Sequence, residues 1–228
     1  MGHLFGRQGQ GMAEKYSDQG QVGGLDRKQG SIFHGDLENG LRACVYVKRG
    51  LRATKLTEFC TRDQAAVLLP VGAGSSGAGS SGANLVICST YLPYDSEGPP
   101  STRELRDLVD YCEVKGLQLV IGSDANAHHI VWGSSNINRR GEVLLEYLST
   151  TDLEILNRGS SPTFITSRRQ EVLDITLGSA KVAQAIRDCR VDEEATLSDH
   201  RLITFKLSTD SDLRASETYR NPRITCWP

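Results

Sequence analysis

The chain has no apolar run long enough to cross a bilayer, no apolar stretch in Met1 to Gly11, no marked charge excess and no Cys-x-x-Cys pair. Each absence removes a class of protein. A membrane helix needs about 20 apolar residues and a secretory leader needs an apolar centre, so neither insertion nor export is expected. A formal net charge of -2 gives no general attraction to nucleic acid. Any DNA binding would need a local basic surface or metal ions. The six cysteines, Cys44, Cys60, Cys88, Cys112, Cys189 and Cys226, are irregularly spaced and form neither a disulfide framework nor a zinc pattern. They read as reduced thiols of an intracellular protein, and Cys44, Cys88, Cys112 and Cys189 lie in or beside apolar runs, where a thiol behaves as a small hydrophobe.

With 38% hydrophobic and 24% charged residues, the 228-residue chain has an ordinary globular composition and room for one large α/β domain. Residues 1–40 are rich in Gly and Gln with little periodicity, and no packed strand is expected there. Strand-like runs follow at Leu41 to Val47 and Ala66 to Val71. The second leads into the GAGSSGAGSSG tract of residues 72–82, read as a flexible loop. Runs at Asn84 to Tyr91 and Leu117 to Ser123 flank a helix that opens on a Ser101/Glu104 capping box. That helix places Leu105, Leu108, Val109 and Cys112 on one face and stops at Gly116. A second helix is expected from about Gly141 to Thr150. Shorter strands follow at Leu153 to Leu156, Thr163 to Thr166, Val172 to Leu177 and Arg201 to Leu207. Many strands and few helices predict two packed mixed β-sheets flanked by helices, an α/β sandwich. The polar tail 208–228 reads as a linker.

Four local features carry chemistry. The strand Ile121 to Asp124 ends on Asp124-Ala125-Asn126, an acid and an amide at the strand end where open α/β sheets bind ligands. Such residues also suit an ordinary turn. Ser198-Asp199-His200 stands just before the last apolar strand, where a carboxylate can bind a hard cation while the imidazole contacts a phosphoryl group. Asp174 lies within the apolar run Val172 to Leu177, and an acid in such a place needs a partner. His200 is a natural one, since Asp174 would orient the ring and favour its protonated form. Tyr91, in Ser89-Thr90-Tyr91-Leu92-Pro93, could donate its hydroxyl to a phosphate oxygen.

Taken in order, strand-Tyr-x-Pro, helix, strand-Asp-x-Asn, Leu-Asp within a strand and Ser-Asp-His before a final strand resemble the endonuclease/exonuclease/phosphatase superfamily. Residues 122–133 (GSDANAHHIVWG), Arg140 to Leu148, Pro162-Thr163-Phe164 and Leu197 to Phe205 are similar to the apurinic-type endonuclease domains of insect non-LTR retrotransposons. The resemblance implies a nuclear enzyme that nicks DNA by Mg²⁺-dependent phosphodiester hydrolysis, with Mn²⁺ as a substitute, and works with a reverse transcriptase domain. It assigns Asp124 to the attacking water or the leaving oxygen, Asn126 and Tyr91 to the scissile phosphate, His200 with Asp174 to the developing charge, and Asp199 to the metal.

The same resemblance calls for an early metal-binding Glu, for which Glu14 is the best match, although Gly6 to Gly11 stands where an apolar strand should precede it. Three regions follow: a degenerate or truncated start at 1–24, the nuclease-like domain at 25–207, and a linker at 208–228 toward a downstream domain. A catalytically impaired remnant and a phosphatase of the same superfamily remain as alternatives. His128, Arg139, Arg140 and Arg168 are candidates for DNA contacts. Adjacent imidazoles at His128 and His129 make a poor zinc site, because successive residues of an extended chain point apart.

Overall fold

The computed structural model describes residues 28–35, 40–71, 83–194 and 198–208. Its strands are β1 (Gly30–His34), β2 (Cys44–Lys48), β3 (Thr54–Lys55), β4 (Gln64–Val71), β5 (Ala83–Tyr91), β6 (Gln118–Asp124), β7 (Leu153–Ile155), β8 (Phe164–Ile165), β9 (Gln170–Glu171), β10 (Asp174–Ser179), β11 (Ile186–Val191) and β12 (Ile203–Leu207). Its helices are α1 (Arg103–Lys115), α2 (Arg139–Leu148) and α3 (Ala180–Ala185). Six strands form a mixed sheet in the order β3-β4-β5-β6-β10-β7. The pair β5/β6 is parallel and joined through α1, as a crossover connection requires, while the other pairs are antiparallel.

Alternation along the central strands sends side chains to two cores. Val86 and Cys88 of β5 and Leu119 and Ile121 of β6 pack with Leu105, Leu108, Leu144 and Leu148 of α1 and α2. Leu85 and Val120 turn the other way and pack with Val182, Ile186 and Phe205 of α3, β11 and β12. On that same second side Val45 and Val47 of β2 meet Ala65 and Val67 of β4, with Ile87 of β5 and Phe33 of β1 against them. Helices α1 and α2 therefore cover one face of the main sheet, and α3 with the short strand pairs covers the other, an α/β sandwich.

Several local expectations are refined. Helix α1 is capped by Thr102, which accepts from the Leu105 amide at 3.3 Å, not by Ser101, which is buried. It ends at Gly116 with φ 62°, a left-handed turn that glycine adopts without strain. Helix α2 starts earlier than expected because the Asn138 side chain caps it through the Gly141 amide at 2.8 Å. The strand β1 falls where none was expected. Its Ile32 and Phe33 are only half-buried, so it lacks the alternation of a core strand. Strand β11 was also missed: Asp188 has φ 53° and the register shifts between Arg187 and Arg190, a bulge that breaks the two-residue period. Glu14, the Gly/Ser/Ala tract, Cys226 and the tail from 209 lie outside the described residues. Cys60, Cys88, Cys112 and Cys189 are free thiols, and among the described residues no helix is long and apolar enough to cross a membrane.

Candidate active site

Sheet register builds the first half of the site. Asp124, the last residue of β6, stands opposite Tyr91 of β5 and opposite Asp174 of β10. Residues directly opposite in neighbouring strands project to the same face, so phenol and carboxylates share one rung at the end of the sheet. Thr163, fully buried, fixes Asp174 by accepting from the amides of Leu173 at 3.0 Å and Asp174 at 2.9 Å. Asn157 adds a second clamp, donating to the Asp174 carbonyl at 2.9 Å and accepting from the Thr176 amide at 2.7 Å.

The second half arrives from the chain before β12. His200 forms an isolated antiparallel bridge with Phe164, supported by the Arg201 amide on the Thr163 carbonyl and the Ile165 amide on the Asp199 carbonyl. That pairing turns the ring toward Asp174. Its Nδ1 lies 2.9 Å and 3.1 Å from the two Asp174 oxygens, its Nε2 lies 3.7 Å from Asp124 Oδ2, and Phe164 packs edge-on at 5.0 Å between centroids. Asp124 is 4% exposed and His200 6%, so the charges interact with little water between them.

Burial alone would lower the His200 pKa. The hydrogen bond and charge of Asp174, with the charges of Asp124 and Asp199, outweigh it and push the imidazole up to about 9. Burial first, and then the charge of Asp174, raises Asp124 to about 7, against the opposing pull of His200 and the Asn126 amide, which bonds its Oδ1 at 3.2 Å. At neutral pH the ring is thus a cation held between two carboxylates, one of which titrates near neutrality.

Asp124, Asp174 and His200 also form the one group of three potential metal-ligating side chains among the described residues, with ligand atoms within 4.8 Å of one another. His200 faces a carboxylate with each nitrogen, which leaves it a poor ligand. Two buried carboxylates face one imidazolium, so a further cation would offset charge there. A hard divalent cation bound through oxygen fits such a donor set.

The remaining expected residues are distributed unevenly. Asn126, at φ 45°, donates from Nδ2 to the Leu92 carbonyl at 3.2 Å, so the ends of β5 and β6 are tied together beside Asp124. Arg140 strengthens that tie through its Nε on the Asn126 carbonyl at 3.1 Å and a terminal nitrogen on the Leu92 carbonyl at 3.4 Å. Its guanidinium faces inward. Asp199 is exposed and is not among the three clustered residues. His128 is engaged by Asn136 at 2.7 Å and Glu171 at 3.4 Å. Arg139 is exposed beside Glu142, and Arg168 is exposed in the β8–β9 turn.

Sequence reasoning overlooked Thr163 and Asn157 as supports, and also Arg42. The Arg42 guanidinium pairs with both carboxylate oxygens of Asp63 and lies 4.2 Å over the Tyr91 ring. Asp63 also accepts the Tyr91 amide through its carbonyl at 2.8 Å. Pro162-Thr163-Phe164 was visible as a motif, yet nothing in it reveals that Thr163 holds Asp174.

The site is thus a buried acid–imidazole–acid cluster at the strand ends of an α/β sandwich. The sequence pattern of the family described as "Endonuclease-reverse transcriptase" matches residues 85–204, over half of the 228, and the chain belongs to that family. A "Probable RNA-directed DNA polymerase from transposon BS" of Drosophila melanogaster is 32% identical over 119 residues, which are 49% of this chain and 12% of that protein. The chain thus corresponds to a small part of that relative. Among solved structures, the "Endonuclease domain of TRAS1, a telomere-specific non-LTR retrotransposon" superposes with a TM-score of 0.66 at 24% identity, covering 80% of this chain and 81% of that one. The AP endonuclease LMAP from Leishmania major gives 0.63 at 12% identity, over 86% and 74%. These likenesses show the fold.

Proposed function

We propose that the chain is the endonuclease module of a non-LTR retrotransposon, nicking one strand of duplex DNA to leave a 3′-hydroxyl that a reverse transcriptase extends. The observation that carries this reading is the buried Asp124–His200–Asp174 cluster, its Asp124 on the same strand rung as Tyr91, in a member of the endonuclease-reverse transcriptase family. Water attacks phosphorus and gives up a proton as the new P–O bond forms, the P–O3′ bond breaks, and its electron pair leaves with O3′, which takes up a proton. Asp124, titrating near neutrality, takes the proton from the attacking water or supplies the one to O3′. His200, kept cationic by Asp174, stabilises charge on the phosphoryl oxygens. The Tyr91 hydroxyl and the Asn126 loop hold the phosphate.

Mg²⁺, or Mn²⁺ in its place, would be held through carboxylate oxygens of the Asp124–Asp174 cluster, with Asp199 and Glu14 as the further ligands the family resemblance assigns, and supplies Lewis-acid stabilisation when bound. The substrate is chromosomal DNA, which sets the place of action in the nucleus. The partner reading rests on the Drosophila relative, an RNA-directed DNA polymerase. The test is nicking of supercoiled plasmid. Parent protein should convert it to open circles in Mg²⁺ and stop in EDTA, and Asp124→Ala and His200→Ala should each be silent while keeping the parent's circular dichroism. Undiminished nicking by both variants would remove the proposed site.

A further inference from the structure

Resting on the nuclease reading, we infer that the loop of residues 128–138 is an apolar wedge that enters a groove of duplex DNA beside the scissile phosphate, with Ile130, Val131 and Ile137 as its inserting side chains. The loop leaves the catalytic strand two residues after Asn126. Ile130 is 61% exposed, Val131 52% and Ile137 46%. Isolated exposed apolar residues are ordinary, but three in one eight-residue stretch of the loop that follows the Asp124 strand end are not.

The loop is held as a rigid platform. Its base is closed by the Asn138 amide on the His128 carbonyl at 3.0 Å and the His128 amide on Asn138 Oδ1 at 3.1 Å. Inside it, His129 Nδ1 accepts from the Val131 amide at 3.2 Å, and Ser134 donates to the Val172 carbonyl at 2.9 Å. Trp132 anchors the short turn Ile130–Trp132 in the helix-side core and donates to the Ala127 carbonyl at 3.3 Å. The residues between its anchors project outward on a frame already ordered, so little further ordering is needed on binding.

Charge and size select the occupant. From residue 125 to 141 there is no Asp or Glu, while His128, His129, Arg139 and Arg140 lie within that stretch of a chain whose net charge is -2. Two carboxylates reach in: Glu171, held by Arg169 at 2.7 Å as well as facing His128, and Glu142, 3.5 Å from Arg139. A polyanion suits this surface. A protein interface needs about 800 Å² on each side, far more than three side chains offer. An isoleucine wedged between base steps needs one or two, and it kinks and unstacks the duplex there.

The test uses the full chain in EDTA, where binding is separate from cutting, with a fluorescein-labelled duplex carrying 2-aminopurine at several pyrimidine–purine steps. Parent binding should raise 2-aminopurine emission as bases unstack. Ile130→Ser/Val131→Ser should abolish that rise and weaken binding about tenfold with the salt slope unchanged, since phosphate contacts remain. Ile130→Leu/Val131→Ile should behave as the parent. Parent nicking without any emission rise, or serine-variant affinity within about twofold of the parent, overturns the wedge and leaves the nuclease reading standing. An emission rise in a parent that never nicks keeps the wedge and removes the nuclease reading. Loss of a dimer in the serine variant at unchanged DNA affinity overturns the wedge in favour of a second copy.

Discussion

Asp174→Asn separates two things that Asp174 does for His200. The asparagine oxygen can still accept the Nδ1 proton, so the ring can keep its orientation, but the negative charge that favours the imidazolium is gone. The gap between about 9 in the folded protein and the ordinary 6.5 corresponds to at most about 3 kcal/mol of stability. Because the folded value is raised, this contribution is complete below pH 6.5 and is lost as pH rises through about 9. In EDTA the parent's unfolding free energy, measured with urea, should therefore fall by up to about 3 kcal/mol across that window. In Asp174→Asn the fall should largely disappear. An NMR titration, with His200 assigned through His200→Gln, should place its midpoint near 9 in the parent and well below that in Asp174→Asn. Nicking at pH 7.5 should drop at least about a hundredfold, the usual loss when one preorganised charge-stabilising group is removed. An unchanged His200 midpoint in the variant would refute the argument that Asp174 keeps the ring charged.

Thr163→Val keeps the volume of a buried residue but strips the acceptor from the Leu173 and Asp174 amides. At about 1–3 kcal/mol for each orphaned group, urea denaturation should show a loss of about 2–6 kcal/mol, with Thr163→Ser near the parent. Gly141→Ala should lower Tm even though Gly→Ala inside a helix normally stabilises by about 1 kcal/mol. The new methyl would sit 2.0 Å from the His128 carbonyl oxygen at the base of the 128–138 loop, and a raised Tm would contradict that packing. Burial raises the Tyr91 pKa and the charge of Arg42 opposes it, so Arg42→Met should move the phenol's ultraviolet titration further up. The same change should reduce nicking, and a Tyr91 titration that stays in place would show that the stacking over the ring has no electrostatic effect.

Helices α1 and α2 were legible because their signals are local, while the short α3 was not expected. Leu105, Leu108, Val109 and Cys112 mark the buried face of α1, and Gly116 marks its end. Strands β5 and β6 were legible for the same reason, as apolar runs bounded by turn residues. Strand β11 was hidden by its bulge and charged residues, and β1 by its partial exposure. Asp174 announced that it needed a partner, because a carboxylate amid apolar neighbours is costly alone. Arg140 was read as a DNA contact, yet its guanidinium ties the Leu92 and Asn126 carbonyls together, a use that no sequence pattern displays.

What the linear order determined was which residue types stand at the ends of which strands: Tyr91 closing β5, Asp124 closing β6, Asp174 opening β10 and His200 preceding β12. Tertiary structure decided how they meet. Sheet register places Tyr91, Asp124 and Asp174 on one rung, and a single bridge to Phe164 carries His200 across 26 residues to Asp174. It also decided that Thr163, Asn157 and Arg42 serve the site, because a support is defined by what it touches. The physical reason is one of range: propensity and periodicity act over a few residues, whereas charge pairing in a water-poor pocket depends on distances that only the folded chain sets.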